Sequence, residues 1–239
     1  MQEEYTLAEL GHLLKRAERI IQKDAESGLI SGRKVHGQWH FSLNAITDYV
    51  AKNIVGGGPE SELVEILRNT PRISTPEHPV SIAGFFSAET VAPNLPAKTP
   101  SSVIFEMTKL GYACGKLWDP KKMSDAVAAR EAMLSTAMEG GVALLHPRHP
   151  MPKIIDGTFL SLGITSRGIP FGGGFNNLTD IFFLICSEDD TIHLRILAKL
   201  GRILRQKDFI ETLRTLATPL EIIDWIDETE RAVSVVGQE

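Results

Sequence analysis

A histidine at the end of a short apolar segment has the clearest chemical potential in this sequence. His146 follows the apolar run 142–145, Pro147 comes next, and Arg148 lies two residues after the histidine. A neutral imidazole nitrogen is a competent nucleophile toward phosphorus. A transferred phosphoryl group would bring a charge of about −1.5 to −2, by analogy with phosphorylated hydroxyls, which a nearby guanidinium would stabilise. The sequence therefore predicts a phosphoryl-accepting site, with the ring of His146 exposed at the mouth of a strand.

A second histidine lies near the start of a long amphipathic pattern. Asp190 or Thr191 is a candidate cap for a helix there, which puts His193 in the first turn. Backbone N–H groups at a helix start favour anions. Two predicted strands separate His146 from His193, so the two rings could meet over one edge of a sheet.

Helical and strand patterns are mixed from about residue 80 onward. Ser124 is predicted to cap one helix, and alternation at Leu160, Leu162 and Ile164 predicts a half-buried strand. The predicted helices cover residues 101–110, 124–138, 190–204 and 220–231, and the predicted strands cover residues 141–145, 160–164 and 181–186. This order predicts an α/β fold in which a sheet is covered by helices.

Residues from about 80 to 239 resemble the type-2 IIA domain of the sugar phosphotransferase system, the family of the fructose, mannitol and nitrogen-regulatory IIA proteins. The resemblance is carried by Arg130-Glu131, by Ser135-Thr136, by the run from Gly141 to Arg148, and by the run from His193 to Leu200. It implies a mixed sheet flanked by helices. It also implies that His146 is the phosphoacceptor, that Arg148 and His193 assist, and that the histidine phosphocarrier protein is the donor.

One position departs from the family pattern, and two other interpretations of the site remain open. The residue before the active histidine is usually proline, and here it is Leu145. A degenerate IIA domain would act as a protein-interaction module without phosphotransfer. Alternatively, His146, His149 and His193 could bind zinc, although Pro147 makes a regular helical ligand face unlikely. We predict neither a metal nor a cofactor.

Residues 1–53 have the pattern of a small separate domain. Thr6 and Glu9 have the spacing of a capping box, and a second helical pattern runs from Ala17 to Glu26. A two-stranded ribbon is predicted over residues 33–41, around a central Gly-Gln, and a third helix from Ser42. Glycines and prolines over residues 54–79 predict a linker.

This region resembles the winged helix-turn-helix domains of the excisionase and MerR type. The matching residues are Tyr5-Thr6, the run from Ser27 to Ile30, Arg33-Lys34 and the run from Trp39 to Phe41. The resemblance implies a recognition helix in the major groove and a wing on phosphates. The candidate DNA-binding residues are Arg16, Arg19, Lys23, Arg33 and Lys34. The alternative is that this domain docks proteins, because acidic residues interleave with the cations of the second helix.

Composition narrows the function classes. The 239 residues carry a net charge of −5 and are 43% hydrophobic, which argues against a nucleic-acid coat protein and against wholesale disorder. No apolar run approaches the length of a membrane span, and no secretory signal is evident, so we expect a cytoplasmic protein with no membrane contact. Cys114 and Cys186 are expected to be buried free thiols, a disulfide being the less favoured alternative.

Together these observations predict a cytoplasmic bacterial regulator of the phosphotransferase system. In this hypothesis His146 takes a phosphoryl group from the histidine phosphocarrier protein and changes docking to an unknown regulated protein or to DNA.

Overall fold

The computed structural model describes residues 4–14, 16–42, 45, 46, 49, 80–133, 135–171 and 178–236. The chain divides into two compact units, Met1–Pro79 and Val80–Glu239. The predicted linker over residues 54–79 lies outside the described residues.

The described residues of the first unit form two short helices and a three-stranded antiparallel sheet with the third strand in the centre. Thr6 and Glu9 form the predicted capping box, with the Thr6 N–H donating to Glu9 Oε2 at 2.8 Å. The ribbon turns at His36 and Gly37, one residue earlier than predicted, and both have positive φ. The elements are β1 (Glu4–Thr6), α1 (Leu7–Leu14), α2 (Glu18–Glu26), β2 (Arg33–Val35) and β3 (Gln38–Ser42).

The predicted third helix of this unit lies only partly within the described residues. The hydroxyl of Ser42 accepts a hydrogen bond from the Ala45 N–H at 3.2 Å, as expected of a capping residue. Ile46 and Tyr49 are both buried. These elements do not by themselves establish a winged helix-turn-helix domain, which stays a prediction.

Over its described residues the second unit has the predicted α/β architecture, with a five-stranded mixed sheet of order β4-β7-β8-β6-β5. Strands β4 and β7 are parallel, as are β6 and β8, whereas β7 pairs antiparallel with β8 and β5 with β6. The strands are β4 (Val91–Ala92), β5 (Ala137–Met138), β6 (Val142–Leu145), β7 (Phe159–Pro170) and β8 (Leu178–Cys186).

Helices cover both faces of this sheet. On one face, residues of α3 and α4 share a core with Phe159, Phe182 and Leu184. Helices α5 and α7 pack on each other, and α5 also contacts β8. The helices are α3 (Pro100–Ala113), α4 (Pro120–Met133), α5 (Asp190–Leu204), α6 (Phe209–Thr215) and α7 (Pro219–Val236).

Three predicted details of this unit are wrong. Ser124 does not cap a helix, because α4 already begins at Pro120, where Asp119 Oδ1 accepts a hydrogen bond from the Lys122 N–H at 2.9 Å. The predicted half-buried strand is buried on both faces over residues 159–165. The helix predicted to run to residue 138 ends at Met133, and Ala137–Met138 form β5 instead. Helix α6 was not predicted.

No helix among the described residues is long and apolar enough to cross a membrane. Cys114 and Cys186 are both free thiols. Cys114 is only partly buried, whereas Cys186 is fully buried, and burial raises the pKa of the Cys186 thiol.

Candidate functional site

The two histidines singled out by the sequence lie side by side at one edge of the second unit's sheet. His146 directly follows β6, and His193 lies in the helix that follows β8. Because β6 and β8 are parallel neighbours, their carboxyl ends reach the same edge. The ring centroids of His146 and His193 are 4.9 Å apart, with the ring planes at 53°.

The ring of His146 has a defined orientation. Its Nδ1 lies 2.8 Å from the carbonyl oxygen of Leu144. A carbonyl oxygen can only accept a hydrogen bond, so in the neutral ring Nδ1 carries the proton and Nε2 carries the lone pair. The arrangement therefore presents Nε2 as the nucleophilic atom.

The prediction that the His146 ring is exposed is wrong. The residue is 3% exposed, and its Nε2 atom is buried. His193 is 7% exposed. The ring lies beside α5, against His193, instead of projecting from the strand end.

Leu145 keeps the strand end in place although it stands where the family pattern has proline. The side chain is fully buried in the core shared with α3 and α4. Leu145 pairs with Leu184 of β8 in the parallel ladder. The ladder and the core therefore fix a backbone position that proline would otherwise restrict.

The helix that carries His193 begins one residue earlier than predicted. Asp189 is the capping residue, and its carboxylate accepts a hydrogen bond from the Ile192 N–H at 2.8 Å. The His193 N–H donates to the Asp189 carbonyl oxygen at 3.1 Å. His193 therefore lies in the first turn, where the helix dipole favours negative charge.

The charged residues around the histidines differ in burial. Arg148 is exposed at the surface, two residues beyond His146. Arg130, which the sequence analysis treated only as part of the motif, is 4% exposed in the last turn of α4. A buried guanidinium needs a compensating environment. The burial of Arg130, which the sequence does not reveal, makes this residue a further candidate for the functional site.

The α5 start holds an acidic residue in a partly desolvated position. Burial raises the pKa of Asp190, an effect that the charge of nearby His149 partly offsets. His149 is itself exposed. Among the described residues, no group of three or more His, Cys, Asp or Glu side chains has an arrangement that could hold a metal ion.

The five candidate DNA-binding cations have different environments in the first unit. Arg16 donates to the Tyr49 hydroxyl at 2.6 Å, and Arg33 makes a bidentate pair with Glu4. Lys34 lies over the ring of Trp39, with its Nζ 4.9 Å from the centroid. Arg19 and Lys23 are exposed on α2. Three of the five cations thus contact side chains of their own unit, and DNA binding by the five residues stays a prediction.

Tyr49 forms a polar contact inside the same unit. Its hydroxyl donates to the carboxylate of Asp24, and burial together with this bond raises the pKa of Tyr49 to about 12. Arg16 therefore binds a group that belongs to the core of the unit.

Comparison with known families assigns the second unit. Residues 84–229 match the family model of the phosphoenolpyruvate-dependent sugar phosphotransferase system, EIIA 2. The chain belongs to this family. It is accordingly related to phosphoryl-transfer components of the phosphotransferase system.

Solved structures agree on the fold. The nitrogen regulatory protein IIA-Ntr from Neisseria meningitidis is 19% identical, with a TM-score of 0.51, and the match covers 61% of this chain and 98% of that one. IIA mannitol from Escherichia coli is 18% identical, with a TM-score of 0.53 and coverages of 59% and 98%.

A complex of IIA mannitol with phosphorylated IIB mannitol, also from Escherichia coli, matches as well. It is 17% identical, with a TM-score of 0.51 and coverages of 59% and 96%. No curated protein sequence matches the chain. At these identities the solved structures establish the fold of the second unit and not its partners.

Proposed function

We propose that the protein is a phosphoryl-accepting regulator of the phosphotransferase system and that Nε2 of His146 is the acceptor. The single observation that carries the proposal is the hydrogen bond from Nδ1 of His146 to the Leu144 carbonyl, 2.8 Å long, which leaves the lone pair on Nε2. The adjacent ring of His193, in the first turn of a helix, adds an anion-stabilising neighbour.

The transfer step is a displacement at phosphorus. The donor is the phosphohistidine of the histidine phosphocarrier protein. The lone pair of Nε2 attacks the phosphorus atom, the donor's phosphorus–nitrogen bond breaks, and its electron pair returns to the donor imidazole. The proton stays on Nδ1 of His146 and remains hydrogen-bonded to the Leu144 carbonyl. His193 donates a hydrogen bond to a phosphoryl oxygen, and Arg148 offsets its charge from the surface.

Access to the acceptor requires a local rearrangement. His146 is 3% exposed, whereas the adjacent Arg148 and His149 are exposed. We infer that docking of the donor displaces the segment 147–149 and opens Nε2. Closure afterwards keeps water away from the phosphorus–nitrogen bond.

The output of phosphorylation is proposed to be altered docking of a regulated protein, directly or through the first unit. The second candidate output is DNA binding by the first unit. It is favoured by the exposed Arg19 and Lys23 on α2, one helical turn apart. The engagement of Arg16, Arg33 and Lys34 within their own unit favours protein docking instead.

The test of phosphotransfer is incubation with phosphoenolpyruvate, enzyme I and the phosphocarrier protein, read by intact mass. The wild type is expected to gain one phosphoryl group, His146→Ala none, and His193→Ala a slower and less stable label. Glu139→Gln, which alters an exposed residue in the turn between β5 and β6, is the control and should label like the wild type. If the folded wild type gains no mass while a standard IIA protein is labelled, the domain is a non-phosphorylated interaction module.

The test of DNA binding is a gel-shift series on random duplex over increasing salt. Phosphate contacts weaken steeply with salt, so binding that disappears at moderate salt and in an Arg19→Ala/Lys23→Ala double variant supports this output. No shift at low salt removes it and leaves protein docking.

A further inference from the structure

A carboxylate at the end of α4 binds the segment that leads into the edge strand of the sheet. Oε1 of Glu131 accepts hydrogen bonds from the Ser135 hydroxyl at 2.6 Å and from the Thr136 N–H at 3.0 Å. Oε2 accepts from the Thr136 hydroxyl at 2.7 Å and also lies 3.0 Å from the same N–H. Both carboxylate oxygens are therefore used, and Thr136 is held by its backbone and its side chain together.

Thr136 in turn contacts the strand that ends at the candidate acceptor. Its carbonyl oxygen accepts a hydrogen bond from the Leu144 N–H at 3.3 Å. The carbonyl oxygen of Leu144 accepts the bond from Nδ1 of His146 at 2.8 Å. Hydrogen bonds thus link Glu131 to Thr136, Thr136 to Leu144, and Leu144 to the imidazole ring, and the path crosses the backbone of Thr136 and of Leu144.

Because β5 is a short strand at the edge of the sheet, the position of β6 on that side depends on few hydrogen bonds. On one side the four residues of β6, from Val142 to Leu145, pair with Ile181 to Leu184 of β8. On the other side its partner β5 has only two residues, Ala137 and Met138. The bond from Leu144 to Thr136 extends this short pairing toward His146, and Glu131 is what holds Thr136 for it.

We propose that Glu131 is a positioning residue for His146. Its carboxylate fixes Thr136, and the Thr136 carbonyl holds Leu144 by its N–H. The carbonyl of the same Leu144 keeps the proton on Nδ1 and the lone pair on Nε2. The consequence for phosphotransfer rests on the proposed function. The consequence for the ring's tautomer does not, because it concerns the unphosphorylated protein.

A merely structural role for Glu131 makes a different prediction. If the carboxylate only ends α4 and tightens the following turn, its loss lowers stability and leaves the tautomer of His146 unchanged. If it positions the ring, its loss redistributes the imidazole proton in protein that remains folded.

The first experiment measures the tautomer of His146 in the full chain by nitrogen-15 NMR of the imidazole, with His193 as a second site. Wild type is expected to hold the proton mainly on Nδ1. In Glu131→Gln the amide group presents a donor where a carboxylate oxygen accepted, so Thr136 and Leu144 are held less firmly. The ratio of Nδ1–H to Nε2–H forms of His146 should then fall about fivefold, the change expected when the neutral hydrogen bond from Nδ1 to the Leu144 carbonyl is lost. Glu139→Gln is the matched control, since Glu139 is exposed in the turn between β5 and β6.

Two variants of Thr136 keep the test decisive if Glu131→Gln folds poorly. Thr136→Val removes the hydroxyl donor and should shift the tautomer in the same direction, whereas Thr136→Ser retains the donor and should restore the wild-type ratio. An unchanged ratio in folded Glu131→Gln, or in folded Thr136→Val, overturns the proposal.

The second experiment measures the rate of phosphoryl transfer from the phosphocarrier protein. Glu131→Gln is expected to be roughly tenfold slower than wild type, because a misoriented nucleophile reacts less often, and Glu139→Gln unchanged. A slower rate with an unchanged tautomer would overturn the positioning role. If wild type takes up no phosphoryl group, the proposed function fails, and the tautomer measurement still decides the role of Glu131.

Discussion

The energetic effect of a buried polar side chain in the central sheet depends on whether it is paired. Ser161 of β7 is fully buried, and its hydroxyl makes no hydrogen bond to any described residue. Burial of an unpaired hydroxyl costs about 1–3 kcal/mol. We therefore expect Ser161→Ala to raise the free energy of unfolding by up to about 1 kcal/mol after the small loss of packing is deducted. Urea denaturation measures this change.

Thr165 of the same strand is the matched control. Its side chain is also buried, but its hydroxyl donates to the Arg167 carbonyl at 2.9 Å. Thr165→Val keeps the shape and removes the donor, so it should destabilise by about 1 kcal/mol. Equal destabilisation by both variants would contradict the assignment of Ser161 as an unpaired group.

The acidic residue at the start of α5 predicts a pH dependence. Burial raises the pKa of Asp190 in the folded protein, so the folded state binds the proton at a higher pH than the unfolded chain does. The charged form therefore costs stability at neutral pH, and the cost disappears as the pH falls through the folded-state pKa. Relative to wild type, Asp190→Asn should gain stability as the pH rises from the ordinary carboxyl range to 7, as measured by urea denaturation across pH.

Glu221, whose pKa is lowered instead of raised, provides the control for this measurement. Hydrogen bonds from Thr218, and a further one from the Ala217 N–H, lower the pKa of Glu221 at the start of α7. Its charged form contributes stability above the unfolded-state pKa, and this contribution is lost as the pH falls. Glu221→Gln should thus lose stability relative to wild type over the same rise in pH. If both variants changed in stability in the same direction as the pH rises, the desolvation of Asp190 would be ruled out.

At the level of elements, α6 joins two parts of the sheet through one arginine. Arg214 donates to the Asp180 carboxylate of β8 from Nε at 2.7 Å and from Nη2 at 2.8 Å. The same side chain donates to the Gly140 carbonyl in the turn between β5 and β6. Because the pair is bidentate and about a quarter exposed, Arg214→Ala is expected to cost about 1–2 kcal/mol, which thermal or urea unfolding measures.

An exposed pair within one helix is the appropriate comparison for this arginine. Arg231 contacts Asp227 one turn earlier in α7, and its side chain is 76% exposed. Arg231→Ala should cost no more than about 0.5 kcal/mol. A comparable loss for the two variants would show that Arg214 acts only as a surface charge.

Sequence patterns predicted the elements that have strong local signals. The capping box at Thr6 and Glu9 and the apolar strands ending at Leu145 and Cys186 are confirmed. The start of α4 was missed although Asp119 and Pro120 have the residue types of a cap and a first helical position, because Ser124 was predicted to be the cap instead. The hydrogen bond from the Lys122 N–H shows that Asp119 is the cap.

Features that depend on tertiary packing were harder to predict. The alternation at Leu160 and Leu162 suggested one solvent-facing side, but helices cover both faces of β7. The burial of His146 depends on the approach of α5, a contact between residues 47 positions apart in the sequence. The motif therefore indicated which histidines belong together, whereas their exposure and the tautomer of His146 depend on tertiary contacts that the motif does not specify.

At the level of the whole molecule, the second unit extends beyond the region that the family model matches. The match begins at residue 84, yet Ile82 is fully buried. The buried carboxylate of Glu230 accepts hydrogen bonds from the N–H groups of Ile82 at 2.8 Å and Ala83 at 3.1 Å. Lys199 of α5 pairs with the same carboxylate and donates to the Val80 carbonyl. Residues 80–83 are therefore part of the packed unit, although they lie next to the predicted linker.

Two shortened chains test this boundary. One begins at residue 77, and the other begins with the same residues 77–79 joined directly to Gly84, so that the two differ only in residues 80–83. The first should unfold cooperatively with nearly the stability of the second unit in the full chain. The second loses a buried isoleucine and leaves Glu230 without two of its donors, so it should be less stable by about 3 kcal/mol or more. Equal midpoints in urea would mean that residues 80–83 belong to the linker, because a segment that can be removed without cost cannot be part of the core.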